Sequence, residues 1–452
     1  MKKSKLKLST THIILFSFLL VVLLGAVLLM LPISSAKGEW TSFVDALFTS
    51  TTATCVTGLV VAPTFSTWST FGHIVILCLI QIGGLGVITV VSILAMMFHR
   101  KMGLSDRLLL QDAFNLNTLS GLSQFVKKVV LGTFFVEGIG ALLYMTAFIP
   151  EFGLKGIWIS VFTAISAFCN AGIDIIAENS LCNYVHNPVV NFTTCLLIFF
   201  SGIGFIVWWD VARVFKLRKN RRIKVLKSLT LHSKVALVTT LILIFGGALC
   251  IFLFEYNNPQ TMGDFTLYQK IQASFFQSVT TRTAGFATIP QENLSNGSAL
   301  VSIFMMFIGG SPVGTAGGIK TVTIAVVIAA AIAAIKNKND VTMFNRTISK
   351  QAVSKAIAVV CTSFFIMFIS TLLLSAVTAA SVVDVLYETV SATATVGLTR
   401  NLTGSLNTMG KIIIIATMYF GRVGPISLAV ALNLKKQNPN IIKNPVEDIS
   451  VG

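Results

Sequence analysis

A short glycine-ended tract recurs four times along this chain at almost equal intervals. In each copy, polar or small residues lead to a glycine that is followed by a bulky apolar residue. The glycines are residues 58, 172, 285 and 397, so the successive intervals are 114, 113 and 112 residues. Similarity at a fixed period indicates repeated structural units. The predicted repeats are 1–110, 111–228, 229–350 and 351–452.

The recurring tract has the chemistry of an ion-selectivity filter. An ion leaves water only if other oxygens replace its hydration shell, and potassium channels use rings of backbone carbonyls from four Thr-Val-Gly-like loops. Glycine allows backbone conformations that are closed to other residues. Ordinary glycine turns between membrane helices would explain one copy, but four copies at one period favour a filter. The predicted filter residues are Thr54, Cys55, Val56, Thr57, Gly58, Phe168, Cys169, Asn170, Ala171, Gly172, Thr281, Arg282, Thr283, Ala284, Gly285, Thr393, Ala394, Thr395, Val396 and Gly397.

The composition is that of an integral membrane protein. Hydrophobic residues make up 54% of the 452 positions and charged residues only 11%, which excludes an ordinary soluble domain. The net charge of +17 could suggest a nucleic-acid partner, but short cytoplasmic loops of membrane proteins concentrate Lys and Arg. Most of the 34 basic residues fall in predicted cytoplasmic segments. We therefore predict a multi-pass protein with both termini in the cytoplasm and no nucleic-acid partner.

Each repeat is expected to contain a first helix, a pore helix, the filter and a second helix. The pore helices are too short for the ~20 residues of a span, so each should end at a pathway inside the protein. Their C-termini direct partial negative charge toward that pathway, which favours a cation. The predicted fold class is therefore an all-α integral membrane protein with four pseudo-symmetric repeats around one central, potassium-channel-like pore. The predicted first helices are 13–30, 125–149, 234–254 and 357–379, the pore helices 41–53, 156–168, 265–280 and 382–392, and the second helices 71–98, 189–215, 300–335 and 409–434.

The second helix of the third repeat is expected to be broken. Its middle contains five glycines and a proline within ten residues, a composition that should leave a flexible, gating loop beneath the filter. The alternative is tight helix packing through small residues, to which we attribute the paired glycines of the other second helices. The predicted gate residues are Gly309, Gly310, Ser311, Pro312, Val313, Gly314, Thr315, Ala316, Gly317, Gly318 and Arg422.

Two arginines lie inside predicted membrane segments. Arg422 stands where the other second helices have glycine, and arginine at this depth needs a water-filled cavity or a polar partner. Three roles stay open for it: a pore-facing charge would oppose the dwell of a cation beneath the filter or hold the gate loop by its carbonyls, and a structural arginine would pair with a buried acid. We expect Arg282 to point away from the pore and brace the filter, because a positive charge in the lumen would exclude cations.

The sequence has no pattern typical of an enzyme. The seven cysteines form no C-x-x-C pair and the five histidines are scattered. No Ser/His/Asp set, carboxylate pair or phosphate-binding loop stands out. We therefore predict a protein that is not an enzyme and has no covalent cofactor.

Four filter tracts, the broken third inner helix and Arg422 together resemble the Trk/Ktr/HKT superfamily of potassium transporters over nearly the whole chain. The similarity is greatest to the KtrB membrane subunits of bacterial Ktr systems, because the first span leads directly to the first pore loop and residues 446–452 look like a Ktr C-terminus. The resemblance implies a bacterial plasma-membrane subunit for potassium uptake, often sodium-dependent, that forms a homodimer with one pore per protomer. It also implies regulation by a cytoplasmic nucleotide-binding ring of the RCK type (KtrA-like).

Several alternatives stay open at this point. Gly58 favours potassium, because serine at this position accompanies sodium preference in plant relatives, but a Trk-type or less selective potassium and sodium transporter or channel is the alternative. The basic cytoplasmic surface suits either the regulatory ring or anionic membrane lipids. A coupled secondary transporter would also show repeats, often inverted ones, whereas four parallel units favour a pore.

Overall fold

The structure is a computed structural model that describes residues 10–87, 122–220 and 225–424, together with residues 89, 90, 92, 108 and 110. Some predicted features lie outside the described residues. These are the basic N-terminus, the last parts of the second helices of repeats 1 and 4, and the closing segment 446–452.

Each repeat begins with a long apolar helix that is able to cross a membrane. The four first helices contain 21, 31, 25 and 28 residues, and about 20 residues suffice for the hydrocarbon core. Large apolar side chains such as Phe245 and Phe365 are exposed on them, as expected of surfaces that face lipid. The first helices are Thr10–Met30, Leu122–Phe152, Leu231–Glu255 and Lys350–Val377.

A short pore helix follows each first helix and ends inside the protein. These helices contain 13, 15, 14 and 13 residues, so none can cross the membrane. Hydroxyls at the N-caps Ser42, Thr266 and Ser381 accept a backbone N–H from the first turn, which satisfies one free donor at the start of the helix. The pore helices are Phe43–Cys55, Lys155–Cys169, Leu267–Thr280 and Val382–Ala394.

One aromatic side chain in each pore helix is buried among the surrounding helices. It stands ten residues before the filter glycine in repeats 1, 2 and 4 and nine residues before it in repeat 3. Close packing of this kind holds helices together inside a bilayer, where burial from water contributes little. The four aromatic residues are Phe48, Phe162, Phe276 and Tyr387.

The second helix is interrupted or ended next to a glycine in every repeat, not only in the third. The two halves in repeat 2 meet at an angle of 93°, and the fourth helix ends at Val423 among the described residues. The helical segments are Thr70–Leu85, Pro188–Gly202, Phe205–Asn220, Asn296–Phe307, Thr321–Ile335 and Thr408–Val423. The glycines at these points are Gly86, Gly204, Gly318 and Gly424, with φ of 86°, 87°, 63° and 94°.

The paired glycines of these helices serve the packing that the sequence suggested and also turn the chain. Packing holds for Gly83, where a Cβ would collide with the carbonyl of Thr54, and for Gly421 against Thr393. The later glycine of each pair instead has a positive φ that other residues adopt only at a cost. It turns the chain, and the continuous second helix predicted for repeat 2 is therefore two helices.

Short elements connect the helices. A hairpin of two antiparallel strands, turned by Phe344 and Asn345 with φ of 49° and 60°, joins repeats 3 and 4. The strands are Thr342–Met343 and Arg346–Thr347, the short α-helices are Thr64–Thr67 and Val225–Ser228, and the 3-10 turns are Pro32–Ser34, Cys182–Tyr184, Gln291–Asn293 and Thr403–Ser405.

Candidate functional site

The four filter glycines meet in a ring. A Cβ built on Gly58 would lie 2.5 Å from the carbonyl oxygen of Ala171 and 3.1 Å from Cα of Gly397. Equivalent contacts run from Gly172 to Gly285, from Gly285 to Gly397 and from Gly397 back to Gly58. Each glycine thus touches the filter segment of a neighbouring repeat, and a larger residue would displace backbone rather than a flexible side chain.

One backbone carbonyl from each repeat lies against this ring. In every filter segment the glycine and the residue two positions before it have positive φ, whereas the residue between them does not. A backbone that alternates in this way presents successive carbonyls on one side, the arrangement in which carbonyl oxygens replace a hydration shell. The four carbonyls are those of Thr57, Ala171, Ala284 and Val396.

A pore-helix hydroxyl braces each filter segment from behind. Thr52 Oγ1 accepts the N–H of Gly58 at 2.9 Å, and Ser391 Oγ accepts the N–H of the fourth filter glycine at 3.0 Å. Ser166 and Thr280 bind the backbone of the residue after the glycine in repeats 2 and 3. Sequence reasoning missed these residues, although a hydroxyl six positions before the glycine, or five in repeat 3, was the available signal.

Three buried hydroxyl oxygens in the filter segments have no hydrogen-bond partner among the described residues. They belong to Thr54, Thr57 and Thr395. A buried hydroxyl without a hydrogen-bond partner costs free energy. Its oxygen has a free lone pair that can coordinate a cation. The four carbonyls against the ring are themselves neutral oxygens, which suit a dehydrated cation and not an anion.

Residues 309–318, the gate loop, lie directly against the ends of the filter segments. Thr315 Oγ1 donates to the carbonyl of Phe168 at 3.0 Å, and the N–H of Gly317 donates to Thr283 Oγ1 at 3.1 Å. A Cβ on Gly317 would also collide with the Thr395 side chain. The loop thus touches the filter segments of repeats 2, 3 and 4 on one side of the ring, which we name the gate side.

The gate loop is also bound by backbone hydrogen bonds where the second helix of repeat 2 is broken. The N–H of Ser311 donates to the carbonyl of Gly202 at 2.7 Å, and the N–H of Phe205 donates to the carbonyl of Val313 at 2.9 Å. The predicted break in the third repeat is therefore present, and the chain within it is non-helical, turns at Pro312 and Val313, and is anchored at several points.

Arg422 holds the gate loop through a carbonyl. Its Nη1 donates to the carbonyl of Thr315 at 2.7 Å and its Nη2 to the carbonyl of Gly83 at 2.5 Å. The ion pairs within the described part of the chain do not include Arg422. Of the roles that the sequence left open, contact with the loop carbonyls is observed and pairing with an acid is not, among the described residues.

Comparison with known proteins identifies the family. The family of TrkH cation transport proteins matches residues 2–443. The chain belongs to this TrkH family. It is 40% identical to the Ktr system potassium uptake protein B of Bacillus subtilis, over 98% of this chain and 96% of that protein. It is 35% identical to the potassium/sodium uptake protein NtpJ of Enterococcus hirae, over 100% of this chain and 99% of that protein.

A solved member has the same fold. The structure of the potassium transporter TrkH from Vibrio parahaemolyticus matches 95% of this chain and 86% of its own, with a TM-score of 0.73 at 16% identity. At that identity the likeness shows the fold alone. It confirms the predicted all-α membrane architecture of four repeats around one pore, and membership of a transport family confirms that the chain is not an enzyme.

This TrkH-family chain has a buried carboxylate behind the second filter segment that sequence reasoning missed. Glu137, 4% exposed, accepts hydrogen bonds from Gln81 Nε2 at 3.2 and 3.4 Å. The Cys169 thiol, in the second predicted filter segment, lies 3.8 Å from Gln81 Oε1 and 3.9 Å from this carboxylate, and its one proton can be donated to either. A single acid inside an apolar span is by default a functional candidate, and that was the signal available in the sequence.

A buried arginine and a partly buried lysine bind carbonyls of the gate loop in this TrkH-family fold. Arg282 Nη2 donates to the carbonyl of Gly309 at 3.0 Å and its Nη1 to that of Thr240 at 3.4 Å. Its side chain thus extends from the predicted filter segment toward the loop and the first helix. Lys320 Nζ donates to the carbonyl of Ala316 at 2.5 Å, a contact that the sequence did not indicate.

One ion pair and the hydrogen bonds of an arginine join adjacent repeats on the opposite face, which we name the filter side. Arg400 pairs with Asp384 at 2.7 Å and donates to the carbonyl of Leu294 in repeat 3 at 3.2 Å. Lys411 in repeat 4 pairs with Asp45 in repeat 1 at 2.6 Å. Partly exposed pairs contribute little stability individually, but these tie the pore-helix starts of the TrkH-family repeats to their neighbours.

Proposed function

We propose that this chain is the potassium-translocating subunit of a bacterial Ktr-type uptake system and moves K⁺ inward through the glycine ring. The main support for this proposal is the ring of glycines, which brings one carbonyl oxygen from each repeat around a single axis. Two relatives named Ktr system potassium uptake protein B, from Bacillus subtilis and Vibrio alginolyticus, are 40% and 38% identical over nearly the whole chain. The potassium ion is the cargo, and no covalent cofactor takes part.

The electrostatics of the site favour a cation. Carbonyl oxygens replace the hydration shell of K⁺, and the pore-helix C-termini add partial negative charge next to the ring. The free hydroxyls of Thr54, Thr57 and Thr395 supply further oxygens. Selection of potassium over sodium rests on all four glycines, since each is needed for the geometry of the ring.

Charge distribution supports a cytoplasmic gate side and an external filter side in a plasma membrane. Lys127 and Lys128 lie at the gate-side start of the first helix of repeat 2. Lys128 Nζ is 5.6 Å from the centre of the Trp209 ring in the bent second helix. Lys336 and Lys338 follow the gate-side end of repeat 3. Basic residues concentrate on the cytoplasmic side of membrane proteins, so uptake runs from filter to gate, with both termini inside.

The gate loop closes the pathway beneath the ring, with Arg422 helping to hold it. A glycine-rich segment has large conformational freedom, so a regulator that contacts the open and closed forms differently can shift the equilibrium. The proposed regulator is a cytoplasmic nucleotide-binding ring of the RCK type, bound to a homodimer with one pore per protomer, and sodium is the proposed activator. This regulator should co-purify with the chain and dissociate at high salt or after Lys336→Glu and Lys338→Glu. If the basic surface binds only anionic lipid, no regulatory ring will co-purify.

A less selective carrier of potassium and sodium is the second candidate. One observation favours it: a relative that is 35% identical over 100% of this chain is named a potassium/sodium uptake protein. The two candidates differ in whether sodium is cargo or activator.

Growth of a potassium-uptake-deficient bacterium at low external potassium tests the proposal. The wild-type chain should restore growth and Gly172→Ser should not. Gly138→Ser is the matched control, because a Cβ there meets nothing within 4 Å. Membrane-inserted protein that fails to restore growth would overturn potassium uptake, and sodium uptake equal to potassium uptake would favour the second candidate.

A further inference from the structure

Thr315 stands at the meeting point of the gate loop and the second filter segment. Its Oγ1 accepts a hydrogen bond from Asn170 Nδ2 at 2.9 Å and donates to the carbonyl of Phe168 at 3.0 Å. Its own carbonyl accepts from Arg422 at 2.7 Å. Both Thr315 and Asn170 are 1% exposed, so neither can exchange these partners for bulk water while the loop is in place.

Asn170 is unusual among the residues at its position in the four filter segments. The equivalent residues with positive φ are Val56, Thr283 and Thr395, and none of these carries a carboxamide. The Asn170 carboxamide has a partner at both ends, because its Oδ1 lies 3.3 Å from Ser201 Oγ in the second helix, a hydroxyl that can donate to it or to the carbonyl of Ile198 at 3.1 Å. A buried chain of hydrogen bonds therefore runs from the second helix through the filter residue Asn170 to Thr315 in the gate loop.

Displacement of the gate loop would break the hydrogen bond between Asn170 and Thr315. A buried amide donor that loses its partner is destabilised unless it finds another, so Asn170 and its backbone would have to rearrange when Thr315 leaves. Asn170 lies two residues before Gly172, within the segment whose φ pattern places the filter carbonyls. A change in loop position is thus transmitted to the geometry of the ring.

We infer that the Asn170–Thr315 hydrogen bond couples the gate loop to ion selection by the second filter segment. The inference rests on the proposed function. Asn170 acts as a positioning residue: with the loop closed it holds the second segment in the selective geometry, and with the loop displaced that segment discriminates less. Coupling between two sites acts equally in both directions. If the closed loop favours the selective form of the ring, an ion that binds best to that form also favours the closed loop.

Uptake of potassium and of sodium by the purified protein in liposomes, with and without the regulatory ring, tests the inference. Thr315→Val removes the hydroxyl at nearly constant volume. It should raise flux without the regulator and lower the potassium-to-sodium uptake ratio by about fivefold or more, the lower end of typical coupling. Thr315→Ser keeps the hydroxyl and should retain the wild-type ratio. Thr362→Val, on an exposed face of a first helix, is the matched control and should change neither quantity.

A second variant leaves the gate loop intact. Ser201→Ala removes the other partner of Asn170, so it should lower the uptake ratio with little change in regulator-independent flux, and it also serves if Thr315→Val does not fold. If Thr315→Val raises flux and the ratio stays at the wild-type value, or if Ser201→Ala leaves the ratio unchanged, the coupling is wrong while the gate stands. If partial deletion of the loop leaves flux unchanged, the proposed gate itself is wrong.

Discussion

Arg422 donates a 2.7 Å hydrogen bond to the carbonyl of Thr315, although the two residues are 107 positions apart in the chain. The same guanidinium binds the carbonyl of Gly83 at 2.5 Å. One side chain of repeat 4 therefore ties the gate loop of repeat 3 to the second helix of repeat 1. Arginine suits this role because its planar fork of donors can reach two separate carbonyls at once.

Replacement of Arg422 should loosen the gate loop. Hydrogen bonds from a charged donor contribute roughly 1.5–3 kcal/mol each, and about 1.4 kcal/mol is a tenfold change in an equilibrium. We expect Arg422→Ala to raise regulator-independent potassium flux in liposomes, by less than deletion of part of the loop. Arg422→Lys keeps the charge but cannot bind both carbonyls, so it should fall between wild type and Arg422→Ala. A flux no higher than that of wild type in both variants would show that Arg422 does not hold the gate.

Shortening of the gate loop should open the pathway without altering the ring of glycines. Deletion of part of Ser311–Ala316 removes the contacts with the broken second helix of repeat 2 and with the filter ends. We expect potassium flux to rise about fivefold or more and to lose most of its dependence on the regulatory subunit. The control is a deletion of equal length in the exposed segment 36–40, which lies on the filter side and away from the proposed regulator contacts. If the inserted loop deletion still needs the regulator, this segment is packing and not a gate.

Substitution of a filter glycine should weaken selectivity. Gly58 has a φ of 99°, and a Cβ would lie 2.5 Å from the carbonyl oxygen of Ala171. A side chain in such a conformation costs about 1–3 kcal/mol, and the added serine oxygen competes with the carbonyls. Gly58→Ser and Gly285→Ser should therefore lower the potassium-to-sodium uptake ratio, while Gly138→Ser keeps it. Equal ratios in all four proteins would mean that these tracts are not the filter.

The buried carboxylate of Glu137 should be needed for a stable second filter segment. Glu137→Ala leaves Gln81 Nε2 without its acceptor, which costs about 1–3 kcal/mol, whereas the Cys169 thiol keeps Gln81 Oε1 as an acceptor at 3.8 Å. Glu137→Gln keeps an acceptor oxygen and should lower the thermal unfolding midpoint in detergent less. Glu178→Ala, at an exposed position, is the control. An unfolding midpoint in Glu137→Ala that matches the control would contradict this role.

Stability should depend on pH through Asp174, in the loop that follows the second filter segment. Burial raises the pKa of Asp174 from 3.8 to about 6, against hydrogen bonds from nearby groups such as the Ile176 N–H. The folded state therefore binds a proton that the unfolded state releases between these values, so this contribution to stability is lost as pH rises from about 4 to about 6. Asp174→Asn should unfold like wild type near pH 4 and at a higher temperature near pH 7. If Asp174→Asn has the same unfolding midpoint as wild type at both pH values, the raised pKa of Asp174 is wrong.

Local composition and periodicity were sufficient to predict the main plan of the protein. Four apolar runs of spanning length, four helices too short to cross, and glycine at positions 58, 172, 285 and 397 are properties of short segments, so the sequence determines them before any packing occurs. The break at 309–318 is also a property of one short segment, because a stretch with five glycines and a proline does not form a stable helix. The family resemblance drew on these local patterns.

Tertiary structure alone decided which side chains meet. Asn170 and Thr315 are 145 positions apart, and Arg422 and Gly83 are 339 apart, so no periodic pattern predicts those pairs. The paired glycines of the second helices are compatible with packing and with a turn, and only the packed backbone assigns Gly83 to the first and Gly86 to the second. The physical reason is the same in each case: a hydrogen bond or a close contact between repeats depends on how four separately formed units pack around one axis.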